Sequence, residues 1–187
     1  MAGRPRSFDR DAALASAIEL FWRAGYDQTT IAMLTKAMGV TPPSLYAAFG
    51  DKDSLFAEAS ALYFRRTCDA VDSAAALPDA RQAITVMLDD TARAHTDTRT
   101  PLGCLMLSEP RLGAQRQDMH RRLRDRIARG VADGDFPATT HPDRLASFLL
   151  AVMRGMSGCA RDGGSAEEVR AIAALAVAAL PEPTTGR

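Results

Sequence analysis

The fold is decided by residues 29–56, which read TTIAMLTKAMGVTPPSLYAAFGDKDSLF. Two short helices are predicted here: one is capped by Thr30 and ends at Gly39, and the next is capped by Thr41 and ends at Gly50. Pro42 suits the first position of the second helix, where a missing N–H does no harm. The apolar residues that can close a small core are Ile31, Leu34, Met38, Val40, Leu45 and Phe49. This spacing is typical of a helix-turn-helix, although an ordinary corner between two helices of a larger core has the same spacing.

Outward from this stretch, apolar residues recur at helical spacing and no segment shows the alternation of a strand. Glycine, proline and capping residues divide the pattern, and Ser165 with Glu168 forms a predicted capping box. The further helices are expected over residues 9–24, 51–68, 79–96, 102–107, 113–132, 142–161 and 166–180. The sequence therefore predicts an all-α protein of about nine helices. The arginine-rich face of the helix over 113–132 is interpreted as exposed surface.

Composition sets limits on the class of protein. The chain has 187 residues, 47% of them hydrophobic, enough for one sizeable core or for a small domain joined to a larger one. Its 23 basic residues balance 23 acidic ones, but a DNA-binding protein needs only a local positive surface. Neither an apolar run of membrane-spanning length nor a signal peptide is recognised, so a soluble cytoplasmic protein is expected.

The residues that carry chemistry are scattered. Three cysteines and three histidines lie far apart, so that neither a disulfide framework nor a metal site is predicted, and no cofactor is expected. An all-helical enzyme would need an acid, a base and a nucleophile that converge. The polar residues here fall on solvated faces or at helix caps instead, and an enzyme is therefore not expected.

Residues 29–56 also resemble the tetracycline-repressor (TetR) family of regulators. The family pattern is a Thr-Thr start, a Gly-Val turn, Leu-Tyr, and then Phe, Lys and Leu. It is matched by Thr29-Thr30, Gly39-Val40, Leu45-Tyr46, Phe49, Lys52 and Leu55. With the preceding helix and its Gly25-Tyr26 stop, the resemblance covers about residues 8–66. One departure is Leu34-Thr35 in place of the usual Ile-Ala; either the helix crossing is wider, or Thr35 bonds its own turn.

The resemblance implies a helix-turn-helix DNA-binding domain over residues 1–67. Tyr46 and Lys52 would contact phosphates, although Tyr46 could instead pack in the core. Thr30 and Thr41, at helix starts, could contact phosphates too. Arg4 and Arg6 fit either a minor-groove arm or a disordered tail. Residues expected to face the major groove are Thr41, Pro42, Pro43, Ser44 and Ala47. None of them reads a base bidentately, so methyl contacts, hydroxyls and DNA shape would carry recognition.

The resemblance further implies a ligand-binding and dimerisation domain over residues 68–180, and residues 181–187 are expected to be a disordered tail. The candidate ligand-pocket residues are Met87, Leu88, Thr91, Cys104, Met106, Met119, Leu123 and Met153. Two apolar helices rich in small residues would pair across a two-fold axis, or would belong to a monomer core. Their candidate dimer residues are Leu149, Val152, Met156, Ile172, Leu175 and Ala176. Cys104 could be a redox or electrophile sensor or a simple packing residue.

The function implied is that of a DNA-binding transcriptional regulator, a repressor that an unidentified small-molecule effector releases from double-stranded operator DNA. The alternative is a constitutive DNA-binding regulator without ligand control. A pocket that no effector occupies would favour the alternative.

Overall fold

The computed structural model describes residues 8–182, and within them it contains nine α-helices, one 3-10 turn and no strand. The helices are α1 Arg10–Gln28, α2 Ile31–Met38, α3 Pro42–Phe49, α4 Lys52–Ala75, α5 Ala80–His95, α6 Leu105–Ser108, α7 Gly113–Asp133, α8 Pro142–Arg161 and α9 Ala166–Ala178. The 3-10 turn is Pro110–Leu112. The all-α prediction is confirmed. Arg4, Arg6 and the tail beyond residue 182 lie outside the described residues.

The helix starts follow local capping chemistry, as the sequence predicted. Thr30 accepts a hydrogen bond from the Met33 N–H, and Asp51 accepts one from the Ser54 N–H at 2.7 Å. Ser165 and Glu168 form the predicted capping box at the start of α9. These bonds satisfy backbone donors that the first helical turn leaves without partners.

Two helix ends differ in detail from the predicted ones. Gly25 (φ 75°, ψ 171°) breaks the helical backbone of α1 as predicted, but a further turn follows it and the element continues to Gln28. The buried Thr29 closes this turn, since its hydroxyl donates to the Gly25 carbonyl at 2.6 Å. The second difference is in α4, which continues to Ala75 instead of ending near Cys68, because neither glycine nor proline interrupts the sequence before Pro78.

The described residues form two compact units, which divide between Tyr63 and Phe64. The first is centred on an aromatic cluster in which Phe56 packs edge-on against Phe21 and Tyr26, with ring centroids 5.1 and 5.0 Å apart. Leu34, Leu45 and Leu55 are fully buried in this unit. Such close packing of a few large side chains is what a unit of this size needs to be stable.

The second unit packs α5, α7, α8 and α9 against one another around a core that includes Ile84, Leu88 and Leu123. The approach of α7 to the start of α5 requires Gly130, because a Cβ atom there would lie 2.4 Å from the Cβ atom of Ala80. The core of this unit is therefore fixed partly by a residue without a side chain.

The prediction that the arginines of α7 are simply exposed is wrong at Arg126. This side chain is only 3% exposed, and its Nη2 atom donates to the carbonyls of Leu77 and Pro78 at 2.9 and 3.0 Å. The half-buried Arg116 likewise donates to backbone carbonyls, those of Met106, Glu109 and Pro110. Both guanidinium groups therefore donate to backbone carbonyls at or near the ends of helices, where intrahelical hydrogen bonds are incomplete.

Candidate nucleic-acid interface

The turn between α2 and α3 has the geometry of a helix-turn-helix. Gly39 ends α2 in the left-handed conformation (φ 67°, ψ 30°), which a residue with a side chain adopts at a cost. Leu34 from α2 and Leu45 from α3 are completely buried, and Val40 in the turn is half-buried. The two helices therefore share one core and are fixed relative to each other.

Thr35 departs from the family pattern without disturbing this arrangement. Its hydroxyl donates to the carbonyls of Ile31 and Ala32, at 3.0 and 3.1 Å, within its own helix. The side chain is 9% exposed. Of the two alternatives that the sequence left open, the structure shows the second, because the hydroxyl bonds its own turn.

The first turn of α3 presents a small, mostly uncharged surface. Thr41, Pro42, Pro43 and Ala47 are exposed, and Ser44 is half-buried. The hydroxyls of Thr41 and Ser44 lie 2.9 Å apart, and the Ser44 N–H also donates to the Thr41 hydroxyl at 3.4 Å. The threonine thus caps the helix and holds the serine hydroxyl in place.

Tyr46 lies on the exposed side of α3, where 49% of its surface is accessible. Core packing, the alternative for this residue, does not fit that exposure. Thr30, at the start of α2, is also exposed, although its hydroxyl already accepts the capping hydrogen bond. The hydroxyl of Tyr46 is the longest-reaching polar group on this face of α3.

Lys52, in the first turn of α4, is held by an aromatic ring. Its ammonium nitrogen lies 4.1 Å from the centroid of the Tyr26 ring, and the Tyr26 hydroxyl donates to the carboxylate of Asp53. Cation–π contact favours this placement of the ammonium group. The preceding residue, Asp51, caps the helix; the Ser54 N–H that it accepts keeps the pKa of its carboxyl below the usual value.

Sequence reasoning missed one ion pair that ties this unit together. The guanidinium of Arg10 binds both carboxylate oxygens of Glu58, at 2.6 and 2.7 Å, and lies 4.4 Å from the centroid of the Phe49 ring. Its Nη2 atom also donates to the Ala48 carbonyl at 3.3 Å. The hydrogen bonds to Glu58 raise the pKa of Arg10 above its ordinary value. Arg10 therefore joins α1, α3 and α4.

The described part of the first unit is not basic. Residues 8–63 contain four basic and seven acidic side chains, and Arg10 and Arg23 are paired with Glu58 and Glu19. Lys36, an exposed lysine in the last turn of α2, is a cation that the predicted site omitted. Residues 8–63 thus offer few positive charges to this surface, so each one matters for binding a polyanion.

The predicted pocket residues lie in the interior of the second unit. All are buried except the half-buried Thr91: Met87, Leu88, Cys104, Met106, Met119, Leu123 and Met153. None of them lines either of two surface cavities, one of about 440 Å³ beside α4 and α7 and one of about 410 Å³ beside α8.

The interior of the second unit also holds His95, which is 5% exposed and whose Nδ1 atom has no hydrogen-bond partner among residues 8–182. Burial lowers the pKa of His95 to about 4.

The candidate dimer residues separate into two groups. Leu149, Met156 and Ala176 are covered by the packing of their own chain, with at most 3% of their surface exposed. Val152 and Ile172 are half-buried, and Leu175 is 73% exposed. Phe148, which the sequence did not single out, is 40% exposed on α8. The apolar side chains that α8 and α9 expose therefore differ in part from the predicted dimer residues.

Within residues 8–182, which include all three cysteines, no disulfide is formed. Cys68 and Cys104 are buried, and Cys159 is half-buried. The Cys104 N–H donates to the Ser157 hydroxyl at 2.9 Å, and this bond fixes the backbone that carries the thiol.

Across residues 8–182, no group of three histidine, cysteine or acidic side chains is placed to hold a metal ion. In the same range, no helix is both long enough and apolar enough to cross a membrane.

A helix-turn-helix unit with an exposed second helix, joined to a separate helical unit, defines the class of DNA-binding transcriptional regulators. The sequence model described as "Bacterial regulatory proteins, tetR family" matches residues 13–59. The repressors ComR and BdcR of Escherichia coli are each 33% identical to this chain, over 96% and 95% of it and 92% of their own lengths. A cysteine mutant of the TetR family regulator CifR, solved with a 26-base-pair operator duplex, superimposes with a TM-score of 0.88 at 38% identity, covering 96% of this chain and 100% of that one. The chain belongs to the TetR family.

Proposed function

We propose that this protein represses transcription by binding operator DNA as a homodimer in the cytoplasm, and that a small-molecule effector releases it. The observation that carries the proposal is the surface of α3, which exposes short side chains from its first turn and the longer Tyr46 beside them. ComR and BdcR are named repressors, and CifR was solved on operator DNA. Those properties support the same role for this chain.

In this proposal, one group of residues contacts the DNA backbone and another faces the bases. Tyr46 and Lys52 bind phosphates, and Thr30, Arg4 and Arg6 add backbone or minor-groove contacts. Thr41, Pro42, Pro43, Ser44 and Ala47 face the base edges. The hydroxyls of Ser44 and Thr41 are hydrogen-bonded to each other, and this bond restricts the directions in which they can contact a base. Both side chains are short, so they reach only the nearest base edges. Specificity then depends on methyl contacts and on DNA shape.

The proposed dimer places α8 and α9 against their copies in a partner chain. The large exposed apolar residues on these helices are Leu175 and Phe148, with the half-buried Val152 and Ile172 beside them. Side chains of this kind contribute little while they face water and contribute to association once they are covered. Leu149, Met156 and Ala176 support the same helices from inside the protomer.

The proposed effector site lies among the buried methionines and Leu88, Thr91 and Leu123. Methionine side chains adapt their shape, so an interior built on them can open around an apolar ligand. His95, four residues after Thr91 on α5, adds a neutral imidazole whose Nδ1 atom lacks a partner, and this atom can bond a polar group of the effector. Regulation without a ligand is the alternative.

One experiment tests the proposed function as a whole. The DNA upstream of the gene for this protein and of its neighbours is screened for binding by fluorescence anisotropy, with a shuffled duplex as the control. We expect one palindromic site to bind in preference to the shuffled duplex by at least about a thousandfold. Compounds made or consumed by products of the neighbouring genes are then added to the complex. A compound that dissociates the complex supports the effector; binding that no compound alters supports the constitutive alternative.

A further inference from the structure

The second unit has a surface crevice that the proposed regulation does not use. The crevice measures about 440 Å³ and lies between the end of α4, with the connection that follows it, and the last part of α7. Leu77 and Pro78 line one side, and Arg126, Arg129 and Asp133 line the other. Its volume is in the range of small-molecule sites, and it shares no residue with the predicted effector pocket.

Arg126 is the unusual residue of this crevice. Only 3% of the residue is exposed, yet its guanidinium pairs with no carboxylate among residues 8–182. Nη2 donates to two backbone carbonyls, and Nε is enclosed without an acceptor. A buried cation without a counter-ion is costly, and a bound anion would remove that cost.

The charges around Arg126 leave room for one negative charge. Asp72, at the edge of the crevice, is already engaged by the guanidinium of Arg122, with an oxygen–nitrogen distance of 2.6 Å. The remaining lining charges are the two cations Arg126 and Arg129 and the single carboxylate of Asp133. One positive charge is therefore not balanced locally, and Asp133 would repel an ion that carries two or more negative charges.

The other wall of the crevice selects for an apolar group. Ala75, Ala76, Leu77 and Pro78 contribute side chains without charge or hydrogen-bonding groups. We propose that this crevice binds a small monocarboxylic acid, its carboxylate between Arg126 and Arg129 and its apolar chain against the alanines and Leu77. The exposed Arg129 can donate two parallel hydrogen bonds from its planar group to a carboxylate, and Arg126, whose Nη2 atom is already engaged, can add its charge and its Nη1 donor.

The test uses the full-length protein and reads the crevice directly. Methyl groups of Ala75, Ala76 and Leu77 are observed by NMR while hexanoate is titrated to millimolar concentration, with hexanamide as the neutral match and inorganic phosphate as the second anion. We expect saturable shifts of these methyl signals with hexanoate alone. Unmoved signals, or equal shifts with hexanamide or phosphate, contradict the proposal.

Variants locate the carboxylate. Arg129→Gln changes an exposed side chain and should weaken hexanoate binding by about three- to fivefold. Arg126→Lys keeps the charge but loses the planar guanidinium and its Nη1 donor, and should weaken hexanoate binding by about tenfold. Arg121→Gln is the matched control, an exposed arginine of α7 that does not line the crevice, and should bind like the wild type. Wild-type affinity in Arg129→Gln overturns the proposal. The NMR titration does not involve DNA, so a negative result would contradict the carboxylate site without contradicting the proposed function.

Discussion

Arg10 and Glu58 form a two-pronged ion pair in which both guanidinium Nη atoms meet a separate carboxylate oxygen, at 2.6 and 2.7 Å. The residues are 48 positions apart, so the pair joins the start of α1 to α4. The same guanidinium lies over the Phe49 ring at the end of α3. One exposed side chain thus connects the three helices that carry or support the proposed DNA-binding surface.

Loss of this pair should lower the melting temperature of the protein modestly. Arg10→Ala and Glu58→Ala are each expected to be less stable than the wild type, and the double variant should be more stable than the sum of the two effects predicts. High salt should shrink the coupling, because both side chains are partly exposed. Additive effects in this thermal-denaturation cycle would show that the pair contributes nothing.

Lys52→Ala should weaken binding to operator and to random DNA by similar factors. A phosphate contact releases counter-ions, so the slope of log affinity against log salt should fall by about 0.9 per contact, or roughly two in a dimer with two such lysines. Lys52→Arg, which keeps the charge, is the control and should retain the slope. Titrations at several salt concentrations decide the matter: a changed sequence preference with an unchanged slope would contradict the proposed contact.

Changes in the first turn of α3 should act differently. Thr41→Ser keeps the hydroxyl that caps the helix but removes a methyl group, and Ser44→Ala removes the bonded hydroxyl. Each is expected to alter the preference among operator variants by about 0.5–1.5 kcal/mol at the base pair that it contacts, with little effect on the salt slope. Binding to a panel of single-base operator variants measures this; a uniform loss across the panel would assign these residues to the DNA backbone.

Leu175→Arg should produce monomers that remain helical. The side chain is 73% exposed, so a charge there costs the protomer little but would be buried in the proposed dimer. Analytical ultracentrifugation measures the oligomeric state, and circular dichroism measures the helix content. Ala176→Arg is the contrasting variant: at 3% exposure, it should disrupt the protomer itself. A wild-type protein that sediments as a monomer at micromolar concentration would rule out the dimer.

His95 should make stability depend on pH in a defined window. Its pKa in the folded protein is about 4 instead of 6.5, so as the pH falls through this range the unfolded chain takes up the proton first. The free energy of unfolding therefore rises with pH between about 4 and 6.5 and gains nothing from this group above that range, with a total effect of about 3–4 kcal/mol. His95→Leu should flatten the profile relative to wild type, as urea denaturation will show. His141→Gln, at an exposed histidine, should leave it unchanged.

The features that sequence reasoning predicted well are local. The caps at Thr30, Thr41, Asp51 and Ser165 depend on residues two or three positions away, and glycine stops depend on a single backbone conformation. Arg126 was misjudged because its acceptors, the carbonyls of Leu77 and Pro78, lie 49 and 48 positions away. The pairing of Arg10 with Glu58 escaped prediction for the same reason.

The residues of α8 and α9 show a second limit. Both helices carry apolar residues on more than one side, so periodicity indicates that they pack but does not tell which side faces the protomer core. Leu149, Met156 and Ala176 face inward, whereas Leu175 faces outward. Only the arrangement of neighbouring helices distinguishes the two sides.

The ring of Tyr26 beneath Lys52 has a consequence for the entropy of binding. A lysine side chain that is free in solution gives up several rotatable bonds when it meets an anion, and that loss opposes binding. Here the ammonium group already lies 4.1 Å from the ring centroid, and the hydroxyl of the same ring is anchored to Asp53. Part of the ordering is complete before any anion arrives. We therefore expect a phosphate contact by Lys52 to cost less entropy than one made by an unrestrained lysine.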